Sequence, residues 1–153
     1  MSTQTQNIQL IIEQLKHYCA TQDRCKWDLI QKTKLLKLSK ISTIQILNIL
    51  VKEKYIDEER YSKSFCRGKF RIKKWGKIKI TNMLKKKHIS EININKGIQE
   101  INFSEYYEEL ENEYQKKKES IKEENPFMKK KKIAAYLIRK GYESNLVWNK
   151  LKD

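Results

Sequence analysis

Residues 55–90 read YIDEERYSKSFCRGKFRIKKWGKIKITNMLKKKHIS, and this stretch decides the fold. Asp57 suits a helix N-cap, because its carboxylate accepts from the unpaired N–H groups of a first turn; Glu58 and Glu59 suit the positive end of the helix dipole. Tyr61, Phe65, Gly68, Ile72 and Trp75 follow in steps of 4, 3, 4 and 3, the spacing of one helical seam, which is expected to face inward. Gly76 comes next and can end the helix. A second helix carries Ile80, Met83 and Leu84, and Ser90 caps a third with Ile94, Ile98 and Ile101.

The flanking sequence repeats this plan. Upstream, Ile8, Ile11, Ile12, Leu15 and Cys19 have helical spacing. Asp23 can cap a second helix with Trp27, Leu29, Ile30 and Leu36, and Ser42 or Thr43 a third with Ile44, Leu47, Leu50 and Val51 inward. Downstream, a highly charged helix carries Tyr106, Tyr107, Leu110, Tyr114 and Ile121. Asn125-Pro126 is an N-cap followed by proline at the first position, and the helix it starts holds Ile133, Ala134, Leu137 and Ile138 before stopping at Gly141. Ser144 caps a last helix with Leu146, Val147 and Leu151.

Laid over one another, the blocks align Leu29 with Ile80 and Ile133, Leu38 with Ile89 and Tyr142, and Leu47 with Ile98 and Leu151, at offsets of 51 and 53 residues. Thr33 breaks the pattern opposite Leu84 and Leu137. Recurrence at one period marks a repeat array whose units bury their faces against neighbours. The expected architecture is all-α: three tandem three-helix, helix-turn-helix-like repeats over 8–54, 55–102 and 103–153, after a flexible polar segment over 1–7 that frays. Composition agrees. Four glycines and one proline in 153 residues punctuate too little for a strand-rich fold. With 39% hydrophobic and 35% charged residues, the cores are thin and an elongated array fits better than a sphere.

The net charge is +15. Lysine-rich drift in an AT-rich genome would raise lysine everywhere, and only five of the 34 basic residues are arginine. The charge is nevertheless concentrated: from Ser62 to Ser90 there is no acid, while Lys63, Arg67, Lys69, Arg71, Lys73, Lys74, Lys77, Lys79, Lys85, Lys86 and Lys87 are all there. Such a footprint points to nucleic acid or a nucleoprotein. Arg67, Arg71 and Lys74 are spaced i, i+4, i+7 and form one stripe away from the Tyr61–Phe65–Ile72 seam. Phe70 also falls outside the seam. It is either an exposed aromatic among bases, as on single-strand-binding surfaces, or a contact to a neighbouring repeat. Lys129 to Lys132 form a second basic run that extends the surface.

Other chemistries lack their residues. His17, Cys19 and Cys25 have the wrong spacing for a zinc finger and no second cysteine pair, so no metal is expected. The glycines are isolated, so there is no phosphate loop, and no nucleophile–base pair is present. No cofactor and no enzyme activity are expected. Three cysteines without a signal peptide imply free thiols in a reducing compartment, hence the cytoplasm. No apolar run approaches the roughly 20 residues of a membrane span, so no membrane partner is expected.

The stretch 55–90 resembles the central motif of the RecX family of bacterial recombinase regulators, in Asp57, Arg60, Tyr61, Phe65, Arg67, Lys69, Arg71, Gly76 and Ile89. HYCATQDRCKWDLIQK resembles that family's first repeat and NPFMKKKKIAAYLIRKGYES its third. The resemblance implies a curved array of three repeats, a monomer, lying in the groove of a filament of the recombinase RecA on single-stranded DNA, with double-stranded DNA as a second ligand. There it blocks strand exchange and lowers ATP hydrolysis. Arg67, Lys69, Arg71, Lys73, Lys74, Lys77, Lys79, Lys129 and Lys130 are the residues expected to bind, with Trp75 mainly structural. Lysine stands for many of the family's arginines, which weakens bidentate phosphate contact, and the first repeat, less basic than the second, is expected to face RecA more than DNA. Two readings compete: a sequence-independent basic binder of single strands, and a helical scaffold docking on an acidic protein. A helix-turn-helix transcription factor fits less well, because the basic second helix offers base edges almost only lysine and Asn82.

Overall fold

The structure, a computed structural model, describes the backbone of residues 3–152 and the side chains of 7–152. The described residues form helices alone: α1 (Thr3–Thr21), α2 (Lys26–Leu35), α3 (Lys40–Lys52), α4 (Glu58–Lys73), α5 (Lys77–Lys86), α6 (Glu91–Ile98), α7 (Phe103–Ser120), α8 (Pro126–Arg139) and α9 (Ser144–Leu151). Of the segment 1–7, Met1 and Ser2 lie outside the described residues and α1 begins at Thr3.

The repeat is written in the backbone between the second and third helix of each triplet. Lys37, His88 and Gly141 take positive φ of 57°, 59° and 105°. The amide that follows each returns to the carbonyl five residues back: Leu38 to Thr33, Ile89 to Leu84 and Tyr142 to Leu137, each at 3.1 Å. One left-handed residue and one such bond close a helix and fix the exit of the next. Thr33, out of pattern in the sequence, occupies the same buried place as Leu84 and Leu137, its hydroxyl donating to the Ile30 carbonyl.

Several helix starts differ from expectation. Asp57, Ser90 and Asn125 cap as read, each accepting from the amide three residues on. The second helix is instead capped at Cys25, whose amide donates to Asp28 Oδ2, and Asp23 turns outward to pair with Arg60. The third starts one turn early on Ser39, which accepts from Ser42, and α9 starts after Glu143 with Ser144 inside the helix. Earlier entry rotates α3, so Thr43, Ile46, Leu47 and Leu50 are buried while Ile44 and Val51 stay exposed.

The larger correction is in α4. The buried residues are Tyr61, Ser62, Cys66 and Phe70; Ile72, expected inside, is 78% exposed. The cause is the closeness of α6. A Cβ on Gly97 would collide with the Ser62 and Cys66 side chains, so the two helices meet backbone to backbone over small residues. The most hydrophobic stripe of α4 is therefore not its buried stripe.

Two cores result. Ile12, Leu15, Cys19, Leu29, Ile46, Leu47, Leu50 and Ile56 fill the first triplet. The second core runs through both later triplets, from Tyr61, Cys66 and Phe70 through Ile80 and Leu84 to Tyr106, Leu110, Leu137, Tyr142 and Val147. Glu113 is buried there, its charge met by Lys140 Nζ at 3.1 Å and the Tyr136 hydroxyl at 3.0 Å.

Candidate nucleic-acid interface

The corner between α4 and α5 gathers the basic stretch. Lys74 enters the left-handed region at φ 60° and closes α4 two residues before Gly76, which caps α5 instead of ending α4. Trp75 sits between them, half-buried against the core. Lys69 from α4 and Lys79 from α5 bring their ammonium groups to 5.1 Å and 4.4 Å from its ring centroid. Lys69 also lies 5.4 Å from the Phe65 ring. Each cation–π contact is worth about 0.5–1 kcal/mol when exposed. The pair therefore holds two long cationic side chains together without an acid, and neither lysine forms an ion pair among the described residues. Trp75 thus has two roles, anchoring the corner and collecting its charge.

The remaining cations differ in how far they are committed within the chain. Arg71 and Lys73 are exposed. Arg67 pairs with Glu100 at 2.9 Å, and Lys74 lies 3.8 Å from Glu109, so two members of the Arg67–Arg71–Lys74 stripe are partly neutralised by acids of neighbouring helices. Lys77 lies over the Tyr106 ring at 4.6 Å, and its amide donates to the Tyr106 hydroxyl. Lys129 and Lys130 sit in the first turns of α8, whose other end meets α5 at Gly141. About 15 Å of helix separates Lys129 from the end of α8 at Arg139, and no hydrogen bond or ion pair among the described residues joins the two basic runs.

Of the two readings of Phe70, the structure takes the second. Its ring is 6% exposed and packs 5.8 Å from that of Tyr106 in the third triplet. Sequence reasoning gave no place to Lys87, a cation of the stretch held by two partners at once: it donates to the Tyr61 hydroxyl at 2.8 Å and to Asp28 at 3.2 Å. An isolated Lys-Lys-Lys run carries no sign of which lysine has an acid 59 residues away.

No cluster of metal-ligating side chains occurs among the described residues, and none of their helices is long and apolar enough to cross a membrane. Cys25 and Cys66 are buried, and burial pushes both thiols up to about 11, so at neutral pH they are protonated and weakly nucleophilic.

Fold and surface together define a class: a tandem helical-repeat protein whose accessible functional groups are cations set beside aromatic rings. Comparison with known proteins narrows this. Residues 57–98 match the second three-helix domain of RecX and residues 104–151 match its third. A crystal structure of regulatory protein RecX superposes with a TM-score of 0.85 at 21% identity, covering 95% of this chain and 73% of the other. That of RecX from Lactobacillus salivarius gives 0.80 at 19% identity, covering 95% and 94%. No curated protein sequence matches the chain. The chain belongs to the RecX family.

Proposed function

We propose that this protein is a non-enzymatic, cytoplasmic regulator of the recombinase RecA, a monomer that binds the RecA–single-stranded DNA filament and restrains its ATP hydrolysis and strand exchange. Family membership supports the regulatory role, and the lysine–tryptophan corner is the observation that carries the binding mode. An acid-free stretch of chain folds so that Lys69 and Lys79 converge on one aromatic ring. That pairing suits a polyanion whose bases can stack beside its phosphates. The binding set is Arg67, Lys69, Arg71, Lys73, Lys74, Lys77 and Lys79, with Lys129 and Lys130 extending it, and the functional units are 8–54, 55–102 and 103–153.

The test is charge reversal at the corner. Wild-type protein and the double variant Lys69→Glu/Lys79→Glu are titrated into RecA filaments on a fluorescent oligonucleotide. Binding by the variant is expected to fall at least about ten-fold with helicity retained. For the wild type, six to ten phosphate contacts predict a fall of about a thousand-fold or more between roughly 50 and 200 mM salt. Equal binding by both proteins, or binding indifferent to salt, overturns the assignment.

A further inference from the structure

The Phe65–Gly68–Ile72 face of α4 has the spacing of a core seam, yet Ile72 is exposed and Phe65 and Gly68 are only half-buried. It floors a groove of about 370 Å³ between α4 and the segment 22–28. The acids on the rim are already occupied: Asp23 holds Arg60 at 3.0 Å, and Asp28 holds Lys87 and the Cys25 amide. Arg24 is stacked on Tyr18 at 3.7 Å, with its Nε bonded to the Tyr18 carbonyl. Lys69 and Lys73 remain without an acid among the described residues, so the rim is positive around an apolar floor.

Gly68 makes the groove more than a gap. It stands in the middle of a helix, where glycine is weaker than alanine. Gly76, Gly97 and Gly141 each admit a neighbour that a Cβ would strike, but a Cβ on Gly68 would meet nothing within 4 Å. No contact inside the chain requires a glycine there. The amide of Gly68 lies inside α4, whose ladder takes up interior N–H groups, so it offers no bond to a phosphate. What it offers is close approach of an apolar surface to the helix axis, as Gly97 offers α4. Ile72, exposed and aliphatic, suits a side chain better than a nucleobase.

We propose that this groove docks an acidic amphipathic segment of the protein component of the filament, its apolar side over Gly68 between Phe65 and Ile72 and its carboxylates on Lys69 and Lys73. The partner's identity rests on the filament reading above; the groove's preference for protein rests on Gly68 and Ile72.

Gly68→Leu sets its Cβ in open space over the groove floor, so the thermal midpoint is expected not to fall. Its dissociation constant for RecA filaments is expected to rise at least ten-fold, with affinity for protein-free single-stranded DNA kept within two-fold. Cys19, Cys25 and Cys66 are all buried, so Ile72→Cys supplies the accessible thiol for a photoreactive maleimide. Irradiated on filaments, it is expected to cross-link to the RecA polypeptide. Cross-linking to the DNA strand, or unchanged filament binding by Gly68→Leu, overturns the proposal while leaving the filament reading intact. Failure of the wild-type protein to bind filaments overturns both.

Discussion

The two joints between neighbouring triplets are built from different chemistry. The later joint is made of backbone: the Gly76 amide donates to the Lys140 carbonyl at 2.8 Å, the Ile78 amide to the Gly141 carbonyl at 2.9 Å, and the Tyr142 hydroxyl to the Lys74 carbonyl at 3.0 Å. Beneath it Phe70, Tyr106 and Tyr142 stack in one core. The earlier joint has a smaller apolar contact, Cys25 and Trp27 against the second core, and is clasped by charged side chains. Arg60 bonds Asp23 and the carbonyls of Lys54 and Tyr55, Glu58 accepts from the Lys26 amide, and Lys87 bridges Asp28 and Tyr61. Units of one plan are thus fused in one place and clasped by ion pairs in the other. A clasp of partly exposed charges weakens with salt, whereas backbone bonds over an aromatic core do not.

The largest expected effect comes from breaking the fused joint. Gly76→Ala drives a Cβ into the backbone of Gly141 and Tyr142, and overpacking against backbone should cost about 3 kcal/mol or more. Urea unfolding should show the loss, and hydrogen exchange should show α5 and α8 losing protection together. Separate loss would deny that the joint is one cooperative unit.

Breaking the clasp should do less, and do it locally. Lys87→Met leaves Asp28 half-buried without its ammonium and should cost about 1–3 kcal/mol. Amide protection should fall in α1–α3 while α7–α9 are unchanged, and about 1 M salt should act in the same direction on the wild type. Equal losses in both regions would erase the distinction between the joints.

Alkali probes the earlier joint and the α4–α6 contact through buried thiols. Cys25 and Cys66 have folded pKa values raised to about 11 by burial, above the usual thiol range. Their contribution to stability is whole below the unfolded pKa and is lost as pH rises from about 9 through 11, on the order of a few kcal/mol in total. Chemical unfolding at pH 8 and pH 11 measures it. The smallest effect is a gain: Gly68→Ala removes a mid-helix glycine with open space around it and should stabilise by up to about 1 kcal/mol.

Much of this molecule was legible in its sequence. The aligned positions Leu38, Ile89 and Tyr142 were read from the repeat offsets, and in the structure each follows a left-handed residue, Lys37, His88 or Gly141, because equal spacing of core residues leaves equal room for the turn. Asp57, Ser90 and Asn125 declared their helix starts. The orientation of α4 was not legible. Hydrophobicity ranks Phe65 and Ile72 above Ser62 and Cys66, but Gly97 lies 35 residues from Ser62, and only its approach decides that small residues go inside. The same blindness hid the acids that hold Arg67, Lys74 and Lys87, since pairing across helices leaves no local pattern. The charge of the candidate site could be read; its division into committed and available cations needed the fold.

The most direct test of the central claim is the rate of single-strand-dependent ATP hydrolysis by RecA from the same organism, with this protein titrated at fixed salt. Inhibition by amounts well below one per RecA is the predicted result, because a filament regulator acts through the polymer. Inhibition only when the protein is sufficient to coat the DNA, or no inhibition at any amount, would contradict it.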